Sequence, residues 1–232
     1  MRKIMEQQKL AKPQAAQIAE TITNAVMEHR LAPGSKLSES RMAEAFKVSR
    51  TKINQALVML AENGLVKKLP NRGYFVSSPG VAEAKEIFAM RNLLEPAIIR
   101  GVITHANKAD IKRLKAHLVA EKLAREQSNR RAIIRLSGDF HMLLASMCGN
   151  RYIDKQMAEL CPLTCLIIAL YDVPNTPACP EDEHDNIVAA IEAGDEAKAI
   201  ALMQHHLAHI ENALNLDGAS DIDEVDWEAI LR

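Results

Sequence analysis

Residues 48–76 read VSRTKINQALVMLAENGLVKKLPNRGYFV. Ser49 is a helix N-cap residue type. Ile53, Ala56, Leu57 and Leu60 follow at the spacing of one buried helix face, and Asn63-Gly64 closes the helix. Past Gly64 the period shortens to that of an extended ribbon: LVKKLP, a tip NRG, then YFVSS. Asn71 and Gly73 suit the special backbone angles of a hairpin tip, with Arg72 lifted between them. Arg50, Lys52, Lys67, Lys68 and Arg72 put positive charge on both helix and ribbon.

Upstream, QAAQIAETITNAVMEHR (residues 14–30) sets Ile18, Ile22 and Val26 four residues apart, and LAPG stops the pattern. A second short helix follows Ser38, with Met42, Ala43 and Phe46 as its inward side. Three helices and a two-stranded wing make a winged helix-turn-helix, whose third helix enters the major groove of DNA by its N-terminal residues. Here those are Ser49, Arg50, Thr51, Lys52 and Asn54, with Arg72 on the wing. Helix N-terminal amides add attraction for phosphate.

The whole chain has 232 residues, a formal net charge of -1 and only 3% aromatic residues, which favours helix packing over an all-β core. The near-zero charge hides an asymmetry: residues 1–79 hold 13 Lys/Arg against 6 Asp/Glu, and residues 80–232 hold 16 against 24. The first third is therefore expected to meet something anionic. We read two domains, residues 1–78 and 79–232, with VSSPG at 76–80 as a hinge. The N-terminal stretch has no secretory apolar run, and LTCLIIALY falls well below the ~18 apolar residues of a membrane span. A cytoplasmic protein with no membrane partner is expected. Cys148, Cys161, Cys165 and Cys179 show no CxxC spacing and read as reduced thiols.

The stretch APGSKLSESRMAEAFKVSRTKINQALVMLAENGLVKKLPNRGYFV resembles the DNA-binding domain of GntR-family bacterial transcription regulators, with its PG-x-x-LSE, V-SR-T, AL-x-x-L, GLV and NRG elements. The resemblance implies recognition-helix contacts at Arg50, Thr51 and Asn54, a contact position at Ser40 beside Arg41, and a wing-tip glycine at Gly73. Two positions depart from the family: Asn54 stands where Arg is common, and Lys47 where the turn between helices usually has Gly.

From Val81 onward the chain reads as helices over about 81–105, 108–127, 129–148, 151–171, 181–193 and 195–216, with Pro162 kinking the fourth and DVPNTPACP as one long loop. This is an antiparallel α-helical bundle, so the fold class is mainly α. Three histidines fall on apolar faces: His184 with Ile187, Val188 and Ile191; His206 with Met203, Leu207 and Ile210; His141 with Ser137, Gly138, Ala145 and Cys148. The small residues beside His141 leave room in the bundle. Imidazoles meeting at one point suit a divalent cation, Zn²⁺ first, with Ni, Fe or Mn as other choices. Core histidines satisfied by hydrogen bonds fit the same pattern, and spacing alone equally offers His205 and His209 as an i, i+4 chelating pair. Arg91 lies on the stripe of Ile87, Leu94 and Ile98, where it either pairs with Glu95 one turn later or binds an organic acid's carboxylate.

MRNLLEPAIIRGVITHA, LSGDFHMLLASMCGN and EHDNIVAAIEAGDEAKAIALMQHHL resemble the ligand-binding (FCD-like) domain of the FadR-type branch of that family. The resemblance implies a metal held by His141, His184 and His206, with His205 as an outward neighbour. The family's ligand aspartate sits one turn before the first histidine, where this chain has Ser137. Asp139 lies ~200° around the helix from a position in line with His141 and is a poor substitute.

The function expected is that of a transcription regulator, a repressor. It would act as a homodimer on a palindromic double-stranded DNA operator and be controlled by a small organic acid bound near Arg91, Ser137, His141, His184 and His206. No organic cofactor and no enzyme activity are expected. The rival readings are a metal-dependent hydrolase-like helical protein and a non-catalytic scaffold; neither explains the basic wing.

Overall fold

The computed structural model describes residues 14–172 and 182–216. Helix α1 (Gln14–Met27) buries Ile18, Ile22 and Val26, as their four-residue spacing requires. Strand β1 (Lys36–Leu37) leads into α2 (Glu39–Phe46), which ends with Lys47 in the left-handed region at φ 53° and ψ 46°. Helix α3 (Arg50–Glu62) starts where Ser49 Oγ accepts the Lys52 backbone N–H, and ends at Asn63 before Gly64, φ 73°. Strands β2 (Val66–Leu69) and β3 (Gly73–Val76) form the hairpin, with Asn71 at φ 60° and Gly73 at φ 92°.

The antiparallel sheet has the order β1-β3-β2, because Lys36 and Leu37 pair with Phe75 and Tyr74 on the far edge of β3. That third strand was not expected. At two residues it has no periodicity of its own and exists only through its partner.

The expected bundle follows: α4 (Val81–His105), α5 (Lys108–Glu126), α6 (Arg130–Met147), α7 (Arg151–Tyr171), α8 (Glu183–Glu192) and α9 (Glu196–Asn212). The sequence-based ranges agree to within two residues except at the end of α9, which stops four residues early. Its C-cap is Ala213. Helix α7 runs unbroken through Pro162. Helix α4 is central, packing against α6, α7, α8 and α9. Cys179 and most of the DVPNTPACP loop lie outside the described residues. The free thiols of Cys161 and Cys165 are buried, and burial pushes both up to about 12, so they stay protonated.

The segment read as a hinge is anchored. Ser77 is fully buried with its hydroxyl donating to the Gly64 carbonyl, and the Tyr171 hydroxyl donates to the Pro79 carbonyl at 3.0 Å. Helix α1 meanwhile seats its C-terminal end on α6 and α7. The Met27 Cε atom lies 2.7 Å from where a Cβ on Gly138 would stand, so the space expected beside that glycine is filled from the winged part. Glu28 Oε1 pairs with Arg135 at 3.1 Å, and His29 Nε2 lies 3.0 Å from the Cys165 carbonyl. Among the described residues no helix is long and apolar enough to cross a membrane.

Candidate functional site

The winged part presents an exposed cationic face. Ser40, Arg41, Ser49, Arg50 and Thr51 are exposed at the starts of α2 and α3, and Lys67, Lys68 and Arg72 are exposed on the hairpin. Lys68 Nζ sits 5.3 Å from the Tyr74 ring centroid and the Arg72 guanidinium 5.7 Å from that of Phe75, so aromatic rings support both cations along the ribbon. Gly73 begins β3 at the tip.

Asn54 is placed differently from its neighbours. It is half-buried and its amide donates to Glu39 Oε1 at 2.8 Å and to the Tyr74 hydroxyl at 3.3 Å. It therefore ties α3 to the start of α2 and to the wing. Arg50, one turn earlier on the same side of α3, lies next to this junction. Lys52 is half-exposed with Nζ 3.3 Å from Gln55 Oε1.

Within the bundle, His141 from α6, His184 from α8 and His206 from α9 are all buried and converge. His206 Nε2 lies 3.2 Å from His141 Nε2 and 3.2 Å from His184 Nε2. The opposite ring nitrogen of each faces a carboxylate. His184 Nδ1 is 2.9 Å from Glu121 Oε2, and His206 Nδ1 is 2.6 Å from Glu183 Oε2. His141 Nδ1 is 2.9 Å from Glu95 Oε1, although that contact is too bent to be a well-formed hydrogen bond. Phe140 stacks on His184 at 3.9 Å between centroids and walls one side.

The charge states follow from this layout. Burial alone would raise the carboxyl of Glu95, but His141 and Arg91 hold it at about 2. Burial is likewise outweighed at Glu121 by His117 and His184, and at Glu183 by His206 and His209, each at about 2. Burial lowers His141 to about 3 and His206 to about 4, so both are neutral near pH 7. An ionised carboxylate can only accept, so at His184 and His206 it fixes the proton on Nδ1 and leaves the Nε2 lone pair facing inward. Lone pairs brought this close repel unless a cation lies among them. Nitrogen ligands ~2.0–2.1 Å from a tetrahedral Zn²⁺ stand ~3.3–3.4 Å apart. The observed 3.2 Å fits such an ion.

Ser137 is half-buried one turn before His141, while Asp139 turns away to Arg135, Nη1 to Oδ2 at 2.6 Å. Arg91 is 2% exposed and reaches Glu95 Oε1 from Nη2 at 2.7 Å and from Nε at 3.2 Å, with Nη1 3.3 Å from the Thr164 hydroxyl. Burial opposes its charge, yet the Glu95 carboxylate more than offsets this and the guanidinium is held more firmly protonated than usual. Of the two roles open to Arg91, the contact with Glu95 is thus present, and through Glu95 it reaches His141.

Glu121 and Glu183 were the part of the site missed in the sequence, and Glu95 was read only as a partner for Arg91. Glu121 stands in the charge-rich run AEKLARE and Glu183 in PEDEH. A signal did exist for Glu121, which is in helical phase with the buried Leu114 and Ala124.

Residues 14–76 match the bacterial regulatory proteins of the gntR family, and residues 86–209 match the FCD domain. Over 203 residues the chain is 24% identical to the HTH-type transcriptional repressor RspR of Escherichia coli strain K12, spanning 87% of this chain and 89% of that protein. It is 28% identical over 183 residues to the HTH-type transcriptional regulator YdhC of Bacillus subtilis strain 168, spanning 78% and 80%. Among solved structures, E. coli McbR/YncC has a TM-score of 0.78 at 18% identity, covering 87% of this chain and 97% of that one, a likeness of fold. A GntR regulator from Rhodococcus sp. RHA1 gives 0.74 at 25% identity, covering 89% and 98%.

Proposed function

The chain belongs to the GntR family of bacterial transcription regulators and carries an FCD domain, and from that premise we propose a cytoplasmic, metal-dependent repressor released by a small organic acid. The observation that carries the metal part is the convergence of three Nε2 atoms with a carboxylate behind each imidazole. His141, His184 and His206 would hold the ion. Zn²⁺ is the first choice for such a set, and Ni²⁺, Fe²⁺ or Mn²⁺ follow. Held there, an ion would supply Lewis acidity toward an oxygen ligand. With Ser137 in place of a carboxylate, positions remain open for water or for the effector's own carboxylate.

In this reading Arg91 is a positioning residue that holds Glu95 against His141. An acid that contacts Arg91 directly displaces Glu95 or Thr164. DNA is met by Arg50, Thr51 and Lys52 at the start of α3, by Ser40, Arg41 and Ser49 beside them, and by Arg72 and Gly73 on the wing, with Asn54 bracing the arrangement. Helix α6 links the two activities, since it carries His141 and Ser137 on the metal side and Gly138 and Arg135 against α1. A shift of α6 on effector binding moves α1 with it, a coupling of a size typical for such regulators, ~1–3 kcal/mol. A homodimer on a palindromic operator is supported by exposed apolar positions on α4 and α5, where Leu93 is 74% exposed and Val119 67%.

Regulator relatives favour this reading over a hydrolase or a scaffold. The test is metal content, measured on protein purified without chelator. We expect close to one tightly held ion per chain, and its loss in His184→Ala. Equal content in both proteins contradicts the assignment.

A further inference from the structure

Beyond the buried trio, we propose that Glu183, His205 and His209 form a second, solvent-facing divalent-cation site that shares Glu183 with the inner one. Helix α9 puts His205 and His209 one turn apart, with ring centroids 6.3 Å from each other. Glu183, the first residue of α8, reaches both: its Oε1 lies 3.0 Å from His209 Nδ1 and 3.9 Å from His205 Nε2. A ligand atom from each of the three lies within 4.8 Å of the others.

Two imidazole nitrogens and one carboxylate oxygen are a donor set for Zn²⁺ or Ni²⁺, whereas Mg²⁺ and Ca²⁺ take oxygen ligands. The longer separation is easily closed, because the His205 side chain is 74% exposed and can turn inward without disturbing the core. Water completes the shell on the open side. The outer site is therefore accessible and exchangeable where the inner one is enclosed.

An ordinary surface ion pair needs one imidazole on one carboxylate oxygen. Glu183 instead has His209 and His205 on Oε1 and His206 at 2.6 Å on Oε2. A cation on Oε1 draws electron density from the carboxylate and weakens its hold on the His206 Nδ1–H, which makes Nε2 a poorer donor to the inner ion. Repulsion between the two cations acts in the same direction. Occupying the outer site thus loosens the inner ion. That coupling rests on the proposed inner site, while the existence of the outer site does not.

The test is equilibrium dialysis of the full-length, metal-stripped chain against Zn²⁺, comparing wild type with His205→Ala, His209→Ala and His184→Ala. Wild type is expected to bind one tight and one weaker ion. Losing even a supporting group commonly costs a metal site ~10–100-fold, so loss of a direct ligand in His205→Ala should weaken the second class by at least about tenfold. The tight class and the thermal transition should be unchanged, because His205 is at the surface. His209→Ala should likewise weaken the second class. A wild type with no second class, or a second class of equal affinity in both variants, overturns the outer site. His184→Ala should lose the tight ion and keep the weak one; if it keeps both, the inner reading fails and the outer one stands. Finally, exchange of the tight ion for isotopically labelled Zn²⁺ is expected to speed up by about fivefold once free Zn²⁺ is high enough to saturate the weak site, in wild type but not in His205→Ala. Equal rates overturn the coupling.

Discussion

The two parts of this molecule handle charge in opposite ways. In the winged part the cations of α3 and the hairpin lie at the surface, Lys68 and Arg72 beside aromatic rings. In the bundle, Arg91, Glu95, Glu121, His141, His184 and His206 are all buried and each ionised group is matched by a partner. Exposed charge needs no internal compensation and is available to a polyanion at long range. Buried charge is tolerated only when the surroundings neutralise it, so its presence marks a constructed site. On the proposed reading, the difference separates the two functions: affinity for DNA outside, selectivity for an ion inside.

The contrast breaks most visibly if exposed charge is removed. Arg50→Ala combined with Arg72→Ala is expected to weaken operator binding by about 100-fold or more, as read by gel shift or fluorescence anisotropy, with metal content unchanged. A double variant that binds as tightly as wild type would show that the exposed face is only a solvated surface.

Next in size is a change behind the trio. Glu121→Gln keeps the shape of the side chain but no longer fixes the Nδ1 proton of His184, and should weaken Zn²⁺ binding by ~10–100-fold. Competition with a chromogenic chelator measures it. Unaltered affinity would mean that the carboxylates serve packing alone.

Acid should act on the bundle before the wing. His141 and His206 are depressed to about 3 and about 4 from an unfolded value of 6.5. The unfolded chain therefore takes up protons first, and stability is lost as pH falls below 6.5 toward those values. Glu95, Glu121 and Glu183, depressed from 4.5 to about 2, extend the loss below pH 4.5. The melting temperature of metal-stripped protein should fall steadily from pH 7 to pH 4. A flat profile would contradict the neutral, carboxylate-backed state of the trio.

The smallest effect belongs to Lys47, which holds a left-handed conformation at φ 53°. Lys47→Gly relieves it and should stabilise the protein by about 0.5–1 kcal/mol, seen as a higher melting temperature.

Legibility in the sequence followed locality. Ser49, Asn63-Gly64 and the Asn71–Gly73 tip act within a few residues of themselves, so α3 and the wing could be read directly. Strand β1 could not, since its reason lies across the sheet in Tyr74 and Phe75. Periodicity turned His141, His184 and His206 inward one by one. Their meeting depends on how α6, α8 and α9 cross, which no local pattern encodes; only the family resemblance joined them. Gly138 read as a source of empty space, whereas Met27, more than a hundred residues earlier, occupies it.

The most direct test of the account is the salt dependence of binding to DNA from the chain's own promoter. A dimer that uses its exposed cations on six to ten phosphates should lose ~10³–10⁵ in affinity between 50 and 200 mM salt, with a slope of about -0.9 per contact on logarithmic axes. Affinity indifferent to salt, or no binding at any salt concentration, would contradict it.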